Sequence, residues 1–337
     1  MDYEQLILIF TAIIYEALPF VVLGVVLAGI LEEFVPQQAL VKVIPSNPYL
    51  AVALGAVLGL AFPMCECGIV VVMRRLLRKG LPLGVCVSYM LAGPIINVVV
   101  MLSTYAAFNT PDRAMSIFGG PINVVLLRVG FAFIIAVNTG LIVGRLQKKV
   151  GIANLLAPIV MRGLDDNLQK IDEDTTTPRS WSRSLNNISM TALTDFIDIM
   201  AFLIIGASLA AVGRLALQQG DSQDIVNLLQ NQPAIAILAM MGIAVLFCLC
   251  SEADAFVAAN FAPYWPPASK LAFMVLGPMF DLKLYIMYTR VFRPKLIFTI
   301  IGCVVVQVFL LSMAAHYLEP QISKFDLRRP VSEAASQ

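Results

Sequence analysis

Long apolar stretches dominate this chain, and short polar or basic segments separate them. They run over Leu6–Leu31, Pro48–Met64, Leu81–Phe108, Pro121–Gly144, Ile199–Gly213, Pro233–Cys250, Leu271–Phe280 with a continuation to Tyr288, and Leu296–Leu318. About 20 apolar residues cross the hydrocarbon core of a bilayer. The pattern therefore predicts helices that reach into or across a membrane. Two segments, Ile69–Leu77 and Ala255–Phe261, are too short to cross, and each directly follows a Cys-x-Cys pair. One region breaks the pattern. Residues 145–189 are polar, include "DDNLQKIDEDTTTPRS", and read as a soluble linker.

The linker separates two halves that align with each other. "EALPFVVLGVVLAG" from Glu16 matches "DIMAFLIIGASLAA" from Asp198, with Phe20, Gly24 and Leu27 opposite Phe202, Gly206 and Leu209. Cys65-x-Cys67 falls opposite Cys248-x-Cys250, and Gly93-Pro94 with Asn97 opposite Gly277-Pro278 with Asp281. Three matches in order, at nearly one spacing, point to an internal duplication. Such repeats build many secondary transporters, whose substrate sites lie at the repeat interface near the midplane.

Composition agrees: 59% of residues are hydrophobic, 13% are charged, and mean hydropathy is +0.84. Soluble domains carry about 25% charged residues. A net charge of +1 gives no basis for nucleic-acid binding. The first apolar stretch follows an acidic start and is too long for a signal peptide, so a retained membrane helix is expected there.

The position of the basic residues sets an orientation. Arg145, Lys148, Lys149, Arg162, Lys170, Arg179 and Arg183 put the linker in the cytoplasm. "RRLLRKG" (74–80) and "RVFRPK" (290–295) fall on the same side only if the Cys-x-Cys segments turn back within the membrane. The expected fold is thus an all-α polytopic membrane protein with two repeated, inverted halves. Each half has about three transmembrane helices, a re-entrant Cys-x-Cys hairpin and a Gly-Pro broken helix. The expected divisions are 1–145, a cytoplasmic linker 146–190, 191–318, and a polar tail 319–337.

Non-helical backbone at membrane depth is tolerated where it is buried in protein or lines a cavity. The hairpin tips and broken helices are therefore the candidate substrate site: Cys65, Glu66, Cys67, Gly68, Pro94, Asn97, Cys248, Cys250, Ser251, Glu252, Asp254 and Asp281. Thiolates bind soft, thiophilic species. Acids inside a membrane are costly and usually functional or paired. Glu16, Glu66, Asp198, Glu252 and Asp254 are the proton-coupling candidates, and structural pairing with Arg128, Lys283 or Arg214 is the rival role. Asn97 and Asp281 as plain hydrogen-bond caps are the rival at the breaks. Cys86 and Cys303 stand singly in apolar runs and read as packing residues. Cys-x-Cys is too tight for a structural zinc clip, and the one histidine, His316, lies in the last helix. No metal and no cofactor are expected.

"FPMCECGIVVVMRRLLRKGLPLGVCVSYMLAGPIINVVVMLSTYAAF" resembles the signature of the ArsP/YraQ-type bacterial permeases, and "CSEADAFVAANF" resembles their second motif. Named members of that family export trivalent organoarsenicals. The resemblance covers both halves and implies a multi-pass inner-membrane permease for a small solute. Its motif positions fall on Cys65, Glu66, Cys67, Gly68, Pro94, Asn97, Cys250, Ser251, Asp254 and Phe256. Two family prolines are missing, one shortly after Gly68 and one after Asn97, where this chain has Val98. The motif is specific for the family and not for the substrate. The function expected is efflux of a small thiophilic or anionic solute. The alternatives are a membrane thiol-redox enzyme that uses the cysteine pairs, and a channel-like conduit for the same solutes.

Overall fold

The computed structural model describes residues 47–61, 66–78, 80–109, 120–158, 232–261 and 265–322, with isolated positions elsewhere, chiefly within 7–26 and 189–208. Glu16, Cys65 and Asp198 lie outside the described residues, as do most of the expected linker and nearly all of the expected tail. Among the described residues the secondary structure is helical, apart from one isolated β-bridge.

Ten α-helices have described bounds, in order: α1 (Pro48–Ala61), α2 (Glu66–Arg78), α3 (Leu83–Ala92), α4 (Val98–Phe108), α5 (Pro121–Val150), α6 (Pro233–Phe247), α7 (Ala253–Asn260), α8 (Pro267–Leu276), α9 (Leu282–Thr289) and α10 (Pro294–Ile322). A 3-10 turn, Ile152–Asn154, follows α5. Proline opens α1, α5, α6, α8 and α10. Its fixed φ suits the first helical turn, and its missing N–H is not needed there. The same ring inside a helix breaks it. The α3–α4 and α8–α9 breaks accordingly hold Gly93-Pro94 and Gly277-Pro278. In the first break the N–H groups of Ile95 and Ile96 both donate to Ala92 O, at 2.9 and 2.7 Å. In the second, those of Met279 and Phe280 both donate to Leu276 O, at 3.0 and 2.8 Å.

Among the described residues, α5 and the Pro294–Leu318 part of α10 are long and apolar enough to cross a bilayer alone. Positions 62–65, which include the end of the apolar stretch, lie outside the described residues, and helix α1 has 14 described residues, a rise of about 21 Å. It runs parallel to α3. Ser88 Oγ donates to Val52 O at 2.9 Å. A Cβ on Gly55 would lie 2.7 Å from Val85 O, and one on Gly59 2.6 Å from Gly93 Cα. Two parallel helices need a return between them, and α2 is the helix between them in sequence. Helix α5 runs antiparallel to α3: a Cβ on Gly84 would lie 2.5 Å from Gly140 O. Small residues bring helices this close, and such contacts drive association in lipid, where burial of apolar surface supplies little.

The long helices pair antiparallel. Gln307 Nε2 on α10 donates to Thr139 Oγ1 on α5 at 3.1 Å. At their shared end the chain leaving α5 is bound to the chain entering α10: Ala157 N donates to Val291 O and Arg293 N to Leu155 O, each at 2.9 Å. The start of the linker region and the "RVFRPK" loop therefore lie at one end of the bundle. Two further packings cross the molecule, α2 on α9 and α7 on α4.

Gly59 sits where α1 meets the first break, and its missing Cβ is what permits the approach. Gly59→Ala is expected to cost about 1–3 kcal/mol through overpacking. A lowered thermal unfolding midpoint of the detergent-purified protein checks this, and an unchanged midpoint would refute the close approach.

Candidate functional site

Helix α2 begins at Glu66, so Glu66, Cys67 and Gly68 form its first turn and do not precede it as a loose tip. A carboxylate at a helix N-terminus is favoured by the exposed amides there. Glu66 is also 1% exposed, and a buried charge in a membrane protein needs a partner. That partner is Lys283, whose Nζ lies 2.8 Å from Glu66 Oε1. Lys283 sits in the first turn of α9, the wrong end of a helix for a cation, so it depends on carboxylates to hold it. Asp281 supplies the second, its Oδ2 lying 3.7 Å from Lys283 Nζ.

A second charge group forms around Asp254, in the first turn of α7 and 1% exposed. Arg128 of α5, equally buried, brings NH2 to 3.8 Å from Asp254 Oδ2. The same guanidinium donates to Ser251 O at 3.0 Å and to Thr104 Oγ1 of α4 at 2.7 Å. It thus joins α4, α5 and the turn before α7. Asp254 Oδ2 also points at the second break, where a Cβ on Gly277 would lie 3.0 Å from it. Glu66, Asp281, Lys283 and Arg128 all lie within electrostatic reach of Asp254.

The two breaks are built alike, and their caps differ in one atom type. Asn97 caps α4 in an extended conformation, accepting from Val100 N at 2.9 Å. Its amide Nδ2 turns back and donates to Gly93 O and Pro94 O, at 3.2 and 3.3 Å. Asp281 caps α9 in the same conformation, accepting from Leu284 N at 2.6 Å. It has a second oxygen where Asn97 has a donor. Both side chains are caps, the rival expectation for these positions, and Asn97 also bonds the carbonyls of its break.

The cysteines divide. Cys248 ends α6 in the left-handed region, φ 48° and ψ 41°, which is rare for a residue with a Cβ. It is buried, its Sγ lies 3.5 Å from Val245 O, and the backbone amides of Leu282 and Lys283 face it. Cys250 is buried beside Glu252 and Arg128. Ser251 Oγ lies 3.4 Å from Glu252 Oε2. Cys67 shares the turn that carries Glu66. Cys86 is enclosed in α3, and Cys303 is partly exposed on α10. Phe256 is 47% exposed on α7 and stands outside the cluster. The described structure thus brings together Glu66, Cys248, Cys250, Ser251, Glu252, Asp254 and Asp281, and adds Arg128 and Lys283. Pro94 and Asn97 belong to the first break.

Two cavities, of about 430 and 680 Å3, lie elsewhere, around Tyr49, Leu141 and Arg145. No cluster residue lines either one. Among the described residues no three His, Cys, Asp or Glu side chains converge as a metal-ligand set.

Comparison with known proteins is consistent with this architecture. A family model described as a predicted permease, ArsP_1, matches residues 2–317. The UPF0718 protein YcgR of Bacillus subtilis (strain 168) is 35% identical over 308 residues, 90% of this chain and 95% of that protein. A putative two-component membrane permease complex subunit of Streptococcus mutans serotype c (strain ATCC 700610 / UA159) is 30% identical over 298 residues, 88% and 90% of the two chains. No solved structure matches.

Removing one partner of a buried pair leaves an uncompensated charge, at a cost of about 3–5 kcal/mol. Arg128→Met should show that loss in detergent unfolding, and Arg128→Met with Asp254→Asn should recover part of it. Additive losses in the double variant would mean that the two groups are not paired.

Proposed function

The chain belongs to the predicted permease family, and from that premise we propose that it moves a small thiophilic or anionic solute outward across the inner membrane, through a site shared by its two halves. The observation that carries this reading is the crossed packing. The helix after each Cys-x-Cys pair lies against the other half: α2 on α9, and α7 on α4. Each contact has its own buried charge group, Glu66 with Lys283 and Asp254 with Arg128 and Thr104. Cys248 and Cys250 stand beside these charges. Sulfur ligands suit soft, thiophilic species.

We read the two halves as inverted repeats. The matching succession of helix, Cys-x-Cys, short helix, Gly-Pro break and long helix supports this, as do the paired caps at Asn97 and Asp281. The parallel course of α1 and α3 supports a re-entrant hairpin made by α1 and α2. The basic loop at 290–293, bound to residues 155–157, supports a cytoplasmic position for that end of the bundle. Of the five acids expected as ion-coupling candidates, Glu66, Glu252 and Asp254 are among the described residues.

The transport site is tested in vesicles by surveying soft oxyanions, organoarsenicals and small sulfur species. Cys248→Ser and Cys250→Ser, like Cys65→Ser and Cys67→Ser, should bring transport to background while the protein remains folded in the membrane. Unchanged flux in all four variants removes the cysteines from the site. The inverted arrangement has its own test. Asp221→Cys and Arg293→Cys, in a chain with Cys86 and Cys303 replaced, should label from opposite sides of sealed vesicles. Labelling of both from one side would rule it out.

A further inference from the structure

The two Gly-Pro breaks share their backbone pattern and their cap geometry, but their carbonyls are treated differently. In the first break, Asn97 Nδ2 satisfies Gly93 O and Pro94 O. The equivalent oxygens of the second break belong to Gly277 and Pro278, and the residue in the place of Asn97 is Asp281. An ionised aspartate cannot donate. Its Oδ2 is fully buried and makes no hydrogen bond; Lys283 Nζ stands 3.7 Å away. Asp254 Oδ2, also buried and without a hydrogen bond, is aimed at Gly277 of the same break. The second break thus collects acceptors where the first balances donors against acceptors.

The surrounding charges sharpen this. Among the described residues four carboxylates meet in the cluster, Glu66 of α2, Glu252 in the turn before α7, Asp254 of α7, and Asp281, and two cations face them, Arg128 of α5 and Lys283 of α9. The thiol of Cys248 at the end of α6 stands close by, and Tyr288 of α9, within electrostatic reach of Asp281 and Glu66, donates its hydroxyl to Met279 O. With every acid ionised the group carries two negative charges in excess, in a region where unpaired charge is strongly disfavoured.

We infer that Asp281 is a proton-binding site, and that its protonated form reproduces at the second break the hydrogen bonding that Asn97 holds permanently at the first. The proton arrives from water and adds to an Oδ2 lone pair. The new O–H donates to Gly277 O or Pro278 O, while Oδ1 keeps the cap on Leu284 N. Lys283 then has Glu66 as its remaining close carboxylate. When the proton leaves to water, Lys283 again serves Glu66 and Asp281 together. Lys283 is a positioning residue here: its choice of partner connects the protonation of the second break to α2. In the permease reading this makes Asp281 the carrier of the coupling ion. The inference rests on that reading for its role in transport but not for proton binding, which is measurable without any solute.

The experiment uses the detergent-purified full chain and an alkaline-to-acid pH jump, with proton uptake followed by indicator dye and the carboxylic C=O band by infrared difference spectroscopy. Asp281→Asn should fold, since Asn97 already occupies the equivalent place. It should take up about one proton fewer per chain than the unaltered protein and lose the matching part of the band. Lys283→Met should show the Asp281 band at alkaline pH, where the unaltered protein lacks it. Equal uptake with and without Asp281 overturns the inference. So does an Asp281→Asn chain that fails to fold, because the equivalence with Asn97 then fails. A Lys283→Met band that follows the unaltered protein overturns the role of the lysine. Failure of the cysteine variants to alter flux would strike the solute site and leave these results standing.

Discussion

The contact between Glu66 and Lys283 is the constraint on which the rest of this structure depends. Both side chains are buried in a protein whose surroundings offer little compensation for charge. Lys283 occupies a helix N-terminus, where the backbone amides oppose a cation. It is held there by Glu66, which α2 delivers, and by Asp281. That delivery requires α2 to lie against α9, and Gly59 lets α1 approach the first break closely. The 2.8 Å pair therefore positions two helices from opposite ends of the chain. Arg128 does the same for α4, α5 and the turn before α7. The association of the halves rests on these charges and on close glycine contacts, as expected where lipid removes the hydrophobic drive.

Much of the architecture was legible in sequence because it follows from local chemistry. Gly-Pro inside an apolar run has few outcomes, and both breaks occur where those dipeptides stand. Asn97 and Asp281, three residues after each proline, had the spacing and side chains of caps. The recurrence of the motifs also pointed to corresponding elements, and the helices on either side of the linker follow one order.

The charge partners could not be read in the same way. Glu66 and Lys283 are 217 residues apart, and Arg128 and Ser251 are 123 apart. No local pattern joins them. One signal did exist: a lysine and an arginine within apolar segments call for buried acids. Arg128 and Lys283 were weighed as structural partners of the acids, and the geometry gives them that role within the candidate site itself. Pairing and function need not exclude each other here. A pair with an extra carboxylate in reach, as Lys283 has in Asp281, can be rearranged by a single proton.

The burial of the cysteines helps to separate a permease from a thiol-transfer enzyme. Disulfide exchange needs a thiolate that an incoming sulfur can reach. Cys248 and Cys250 are 1% and 7% exposed, enclosed by α9 and by the turn that Arg128 holds. A protein partner could reach them only by opening the same helix contacts that the buried charges close. In the transport reading proposed above, a small solute needs a smaller opening than a protein partner does. The broken helices lend themselves to such an opening, since their backbone hydrogen bonding is already interrupted. Among the described residues, the enclosed thiols of Cys248 and Cys250, the broken helices and the buried acids thus support the proposed permease reading over an exposed catalytic site.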